Sequence, residues 1–135
     1  RQKHFCRQNG YASTLMGRRR YLPGVHSSIP RLRESAHRQA INHPVQGSAA
    51  EVIKLAMAYL WTHVLPVFQE LGFCEPILQI HDELVLEVLK DMAEEVAAAV
   101  VDSMEKNLLD LCVPIVASYH ITPPVEEGGS WANLK

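Results

Sequence analysis

The chain is predicted to fold as an α+β domain, with long helices packed on one face of a small antiparallel sheet, and three observations predict it. Residues 77–80 and 84–88 are short runs of β-rich composition, separated only by His81-Asp82-Glu83, a connection short enough for a hairpin. Residues 49–68 and 92–111 instead repeat apolar side chains every three or four positions, the period of an amphipathic helix. A third apolar run, 115–121, follows the second of these helices, so the sheet order is hairpin, helix, strand.

Each element has its own signal. Arg1-Gln2-Lys3-His4-Phe5 reads as the tail of a helix ending near Asn9-Gly10, and with neither a cap nor Met before it the chain is expected to be a piece of a longer one. Residues 11–16 and 20–22 are short extended candidates flanking Gly17-Arg18-Arg19, Pro23-Gly24 is a turn, and 26–30 is loop. Residues 31–43 are rich in helix formers, but Pro44 lacks an amide donor and its ring meets the carbonyl four residues back, so a kink or stop is expected there. Ser48 and Glu51 have the spacing of a capping box, which predicts a new helix. Its buried stripe is Ala49, Val52, Ile53, Ala56, Leu60, Val64 and Phe68, Pro66 is expected to bend or shorten it, and it ends at Gly72. Asp91 with Glu94 resembles an N-cap pair for a helix that carries Met92, Val96, Val100, Met104, Leu108 and Leu111 and ends near Cys112-Val113-Pro114. Its charged face, with Glu95, Asp102 and Glu105, is expected to be plain solvent surface. Pro123-Pro124 stops the final strand, and Trp131 is expected to plug the core.

Composition narrows the classes of function. The chain has 135 residues, 47% of them hydrophobic, enough for one domain with a core. No uninterrupted apolar run approaches the length of about 18 residues that a bilayer span needs, and no membrane partner is expected. Three cysteines, Cys6, Cys74 and Cys112, suit free thiols in a reducing, intracellular compartment better than a disulfide framework. Charge is divided unevenly along the chain. Residues 1–40 hold nine Lys and Arg against one acid, a net of +8, whereas residues 41–135 hold four against fourteen, a net of −10. One surface is thus suited to a polyanion and the other to cations.

Three constellations could carry chemistry. His81-Asp82-Glu83 places carboxylates at a sheet edge, where they could bind Mg²⁺, a hard cation that takes one or two protein carboxylates plus substrate phosphates. Neighbouring residues on a strand face opposite ways, so Asp82 and Glu83 need a further carboxylate from elsewhere to build a site. Arg38, Asn42 and Gln46 follow one another four apart, about 40° round a helix each time, and present donors fit for the acceptors that every base pair shows in the minor groove. Arg18-Arg19-Arg20 offers three guanidinium forks for phosphate oxygens. The bland alternatives are a polar hairpin turn, a solvated helix face and a solvated loop. Gly47-Ser48-Ala49-Ala50 is small enough for close approach of another backbone, and His43 and His63 read as packed or surface histidines. GxxxxGK, GxGxxG, GxSxG and HExxH are all missing.

Taken in order, Gly17-Arg18-Arg19-Arg20-Tyr21-Leu22-Pro23, then Arg38 through Asn42 to Pro44-Val45-Gln46-Gly47-Ser48-Ala49-Ala50, then Leu78-Gln79-Ile80-His81-Asp82-Glu83-Leu84, and Gly129-Ser130-Trp131 resemble the carboxyl-terminal part of a family A DNA polymerase. The resemblance implies a piece of the larger right-hand polymerase fold. Residues 1–43 would be a basic fingers-side segment with the arginine loop, and residues 44–135 a palm segment with an antiparallel palm-type sheet. It implies that Asp82 is one of two catalytic aspartates holding two Mg²⁺ ions, with Glu83 beside it in a supporting role and His81 near the primer end. Arg38, Asn42 and Gln46 match residues that touch template and primer near the terminal base pair, and Arg18, Arg19 and Arg20 border the template backbone. The implied partners are primer-template DNA, the rest of the polymerase chain, and deoxynucleoside triphosphates gripped by an upstream segment. The second aspartate (motif A) and the fingers helix (motif B) are not in this sequence, so the 135 residues alone are expected not to polymerise. Polymerase nu-like and theta-like enzymes belong to the same family; the stretch before His81 is compact, without the long insertion of the theta type, and 114–131 is longer than in bacterial relatives. The expected location is the nucleus if the source is eukaryotic and the cytoplasm if it is bacterial. The alternative to an enzyme segment is a non-catalytic nucleic-acid-binding module. A third class, an interaction domain, would use helix 91–112 to dock a partner.

Overall fold

The computed structural model describes residues 1–123 and 127–130, which fall into two compact units that divide between Val52 and Ile53. Trp131 and its expected role in the core lie outside the described residues.

In the first unit, helix α1 (Gln2–Asn9) ends where the sequence predicts. Gly10 turns left-handed at φ 77° and its amide bonds to Cys6 O at 2.8 Å, a conformation open to glycine at little cost. Strands β1 (Tyr11–Ser13) and β2 (Arg19–Tyr21) form an antiparallel hairpin with Tyr11 opposite Tyr21, Ala12 opposite Arg20 and Ser13 opposite Arg19. A 3-10 turn, Pro23–His26, leads to helix α2 (Pro30–Tyr59). The core is built of small side chains, Cys6, Ala12, Leu22, Val25, Ala36 and Ala40. Ala36 and Ala40 lie one turn apart on α2, which lets the hairpin pack closely on that face.

Pro44 corrects the first expectation. The helix neither stops nor restarts there, and α2 runs through it. Ser48 and Glu51 therefore cap nothing. Ser48 Oγ bonds back to Pro44 O within the helix and accepts the amide of Leu15 at 3.0 Å, while Glu51 reaches the same loop. Contacts from outside the helix thus outweigh the lost rung, a penalty of about 3 kcal/mol in an unsupported helix.

The second unit begins inside the same helix. A π turn, Leu60–Val64, joins α2 to α3 (Leu65–Leu71), with the Leu65 amide bonded to Leu60 O five residues back. Pro66 then sits in the first turn of α3, directly after the π turn. Joined in this way, Pro30–Leu71 contains a window of mean hydropathy 1.2, long and apolar enough to cross a membrane by composition, which a count of uninterrupted runs misses. The same stretch supplies Ala36 and Ala40 to one core and Leu60, Leu65 and Phe68 to the other, and buries Glu51.

Strands β3 (Cys74–Ile80) and β4 (Glu83–Val88) form the predicted hairpin, with an irregularity between Pro76 and Leu78 that leaves Ile77 out of the register. Leu84, Leu86 and Val88 alternate onto one face and pack with Leu60, Leu65, Phe68, Cys74, Val96 and Val100. A 3-10 turn, Lys90–Met92, precedes helix α4 (Ala93–Glu105), and no side chain caps it, so the expected Asp91/Glu94 cap does not form. The helix ends at Glu105, seven residues before the expected Cys112. Residues 115–121 are not a strand either. The Ala117 amide bonds to Glu105 Oε1 and the Tyr119 hydroxyl to Glu94 Oε2, both at 2.9 Å, so carboxylates of α4 satisfy this segment where a sheet partner was expected. Glu105, read as plain solvent surface, is used to hold it.

Candidate nucleic-acid interface and hairpin carboxylate

The first unit brings the predicted donors together. Arg38, Asn42 and Gln46 follow one stripe of α2 and, with Arg20 of β2, line an open groove of about 300 Å³. Ser35, Gln39 and His43 complete it. Sequence reading passed over Ser35 and Gln39 and took His43 for a packed or surface histidine, although 35, 38, 39, 42, 43 and 46 trace the i, i+3, i+4, i+7 polar ridge that marks one face of a helix. Every lining residue carries a hydrogen-bonding side chain, and two are guanidinium groups.

The arginine triplet, read as one phosphate track, is divided three ways. Successive residues of a strand face opposite sides, so Arg20 shares a face with Ala12 while Arg19 shares one with Tyr11 and Tyr21. Arg20 lines the groove. Arg19 lies over the Tyr11 ring, its Cζ 4.6 Å from the centroid, in an aromatic row that continues to Phe5 and Tyr21. Arg18 turns toward α2, with Nε 3.7 Å from Glu51 Oε1.

Glu51 is the residue that sequence analysis placed in the wrong role. It is 4% exposed, and its carboxylate accepts the Thr14 hydroxyl at 2.5 Å and the Met16 amide at 3.2 Å. Thr14 Oγ1 in turn accepts the Arg18 amide at 3.0 Å, and Ser48 Oγ takes the Leu15 amide. The turn between β1 and β2 is thereby fastened to α2 through its own backbone. Gly47 makes room for it: a Cβ there would stand 2.5 Å from Thr14 Cγ2. A buried acid 37 residues from its hydroxyl partner leaves no local sequence signal beyond an acid inside an otherwise apolar helical stretch.

In the second unit, Ile80 pairs with Glu83, so His81 and Asp82 form a two-residue hairpin loop. His81 has φ 54°, the positive value that tight hairpins need at such positions and that glycine usually supplies. A histidine there is backbone strain of a kind that collects at functional sites. Its carbonyl accepts Gln79 Nε2 at 2.5 Å. Asp82 is exposed at the tip, and among the described residues its carboxylate has no hydrogen bond or ion pair. Glu83 is the first residue of β4, set apart from Asp82 by the turn. Among the described residues no three His, Cys, Asp or Glu side chains gather at one point. Asp82 fits a hard divalent cation as one oxygen ligand with free lone pairs, and the chain's described residues supply no complete cage.

The chain belongs to DNA polymerase family A, whose sequence profile matches residues 1–127. It is 52% identical over 109 residues to a thermostable DNA polymerase I of Thermus thermophilus, covering 81% of this chain and 12% of that protein. It is 41% identical over 131 residues to DNA polymerase I of Deinococcus radiodurans, covering 97% of this chain and 12% of that one. Among solved structures, the POL domain of Pol1 from M. smegmatis, in complex with DNA primer-template and dNTP, superposes with a TM-score of 0.73 at 40% identity, over 84% of this chain and 19% of that domain. The chain therefore spans about an eighth of the length of the two DNA polymerases I and about a fifth of the POL domain.

Proposed function

We propose that the chain is the part of a template-directed DNA polymerase that carries one catalytic carboxylate and a primer-template contact surface, in a protein that adds deoxynucleotides to a primer 3′-hydroxyl. The observation that carries the reading is Asp82: an unpartnered carboxylate presented by a strained two-residue turn, in a chain of family A. Asp82 would hold magnesium, with Glu83 as its neighbour, and two such ions, when bound, would lower the pKa of the attacking hydroxyl and neutralise charge on the leaving pyrophosphate. The second aspartate and the nucleotide-gripping helix come from elsewhere in the polypeptide, so these 135 residues extend no primer by themselves.

The remaining residues bind and orient. Arg38, Asn42 and Gln46 donate to minor-groove and primer acceptors near the terminal pair, which suits a surface that must accept any sequence. Arg20 adds a phosphate contact to the same groove, Arg18 and Arg19 border the template backbone, and His81 stands near the primer end. Residues 1–43 lie on the fingers side and 44–135 in the palm, in a protein that works inside the cell. The relatives' names, and the primer-template and dNTP bound to the structural neighbour, support the partners proposed.

The test is primer extension with Mg²⁺ by the longest natural polypeptide that contains the chain. Asp82→Asn should lower the rate by at least about 10³-fold, roughly 4 kcal/mol of transition-state stabilisation, with primer-template affinity kept within about twofold. Normal extension by that variant would leave a structural hairpin and a non-catalytic DNA-binding module.

A further inference from the structure

The turn that carries the arginines closes on itself through two backbone hydrogen bonds, Gly17 N–H to Thr14 O at 3.1 Å and Thr14 N–H to Arg18 O at 3.0 Å. Thr14-Leu15-Met16-Gly17-Arg18 joins strands of three residues each, with Leu15 and Met16 exposed and Gly17 at φ 85°. Side chains of α2 then fasten it in place. Three of its amides end on side-chain oxygens: Leu15 on Ser48, Met16 on Glu51, and Arg18 on Thr14, whose hydroxyl is itself bound to Glu51. Glu51 also sits beside the Arg18 guanidinium. A carboxylate this deeply buried is costly to keep unless its lone pairs are filled, and here the loop fills them.

We propose that Glu51 is a positioning residue for DNA binding: with Ser48 and Gly47, whose missing side chain leaves room for the Thr14 methyl, it forms a seat that sets the 14–18 turn, and so sets where the arginines of β2 stand. This rests on the primer-template reading of the groove. The seat acts at one remove. Arg20 and Arg19 follow the turn directly, and the register Ala12 opposite Arg20 holds only while the turn keeps its length and path. Arg18 is spent partly on the seat, so its charge reaches a phosphate with Glu51 beside it. Gly47 gives a second way in that leaves the charge untouched. Its Cβ would press on the Thr14 methyl, and Thr14 cannot swing that methyl aside without drawing its hydroxyl off Glu51, because both hang from one Cβ.

The experiment uses the longest natural polypeptide containing the chain and four variants: Glu51→Ala, Gly47→Ala, Thr14→Ser, and Gly47→Ala with Thr14→Ser. Hydrogen exchange at the Leu15, Met16 and Arg18 amides reads the seat without DNA, and primer-template affinity across a salt series reads its consequence. Glu51→Ala should speed all three amides, weaken binding about tenfold and flatten the slope of log K against log[salt] by about one, the loss of one phosphate contact. The rate at saturating primer-template should stay within about twofold. Gly47→Ala, a change a helix favours and which keeps the protein folded if Glu51→Ala does not, should act in the same direction. Thr14→Ser removes the methyl and keeps the hydroxyl, so the double variant should regain both amide protection and affinity. Faster amides with unchanged affinity and slope would overturn the proposal, leaving a purely structural seat. So would a Gly47→Ala defect that Thr14→Ser does not repair, or a loss confined to rate. An unaltered polypeptide that keeps its amides protected yet binds no primer-template would instead overturn the function proposed for the groove, and the positioning role with it.

Discussion

The two units differ in how complete their sites are. In Arg1–Val52, groove-lining side chains, the loop beside them and the residues that fasten the loop all come from one stretch of chain, and the hydrogen bonds among them close. In the second unit Leu60, Leu65, Phe68, Cys74, Val96 and Val100 form a buried cluster, yet Asp82 stands at a turn with no partner among the described residues. A surface that binds a repetitive polyanion can be assembled locally, because each phosphate or minor-groove acceptor asks for one donor. A magnesium site for phosphoryl transfer asks for several oxygens at once, and a single hairpin can offer only its share.

The largest expected effects separate the units by what they change. Asp82→Asn should cost rate and spare affinity, as above, while Arg38→Ala should weaken primer-template binding about tenfold and flatten the salt dependence. Measuring both quantities for both variants breaks the comparison if Asp82→Asn loses affinity as much as rate.

The next effect lies within the first unit. The alternation of β2 puts Arg20 in the groove and Arg19 on Tyr11, so Arg20→Ala should weaken binding about tenfold and Arg19→Ala about twofold, in titrations at fixed salt. Equal losses would mean that the triplet acts as one track, whatever faces its members occupy.

How much of this was legible in the sequence follows the range of the interactions. The hairpin at His81-Asp82, the Gly10 helix end and the 38/42/46 stripe are set by neighbours within a turn or a pair of strands, and local patterns find them. Ser48 and Glu51 matched a local pattern too, but their partners are Leu15, Met16 and Thr14, more than 30 residues away, and the longer-range contacts decide. The expected strand at 115–121 failed for a related reason. Its composition suits a strand, but a strand needs a ladder partner, and the described residues meet it instead with Glu94 and Glu105.

Pro44 sharpens the same point with a smaller effect. If outside contacts carry α2 across the proline, Pro44→Ala restores the bond to Ala40 O and relieves the ring, and should raise stability by about 1 kcal/mol in thermal or denaturant unfolding. Destabilisation would show that the proline shapes the helix for the seat.

The smallest effect compares the two interiors directly, through one cysteine in each. Cys6 and Cys74 are fully buried, and burial pushes both thiols above their ordinary value of 9.0, with Glu75 adding to the rise at Cys74. Because the thiolate is the reactive form, both should resist a small alkylating reagent at neutral pH, while exposed Cys112 reacts at once. A thiol held above its unfolded value also ties stability to pH. Its stabilising contribution is full below the ordinary thiol value and is lost as pH rises through the folded one, because the unfolded chain gives up that proton first. Above about pH 9 each unit should therefore open more often and its cysteine should be labelled faster, with mass spectrometry after a short pulse resolving the two sites. Matching rates at Cys6 and Cys74 would mean that the units open together, and a faster Cys74 that the unit with the incomplete site is also the one less firmly closed.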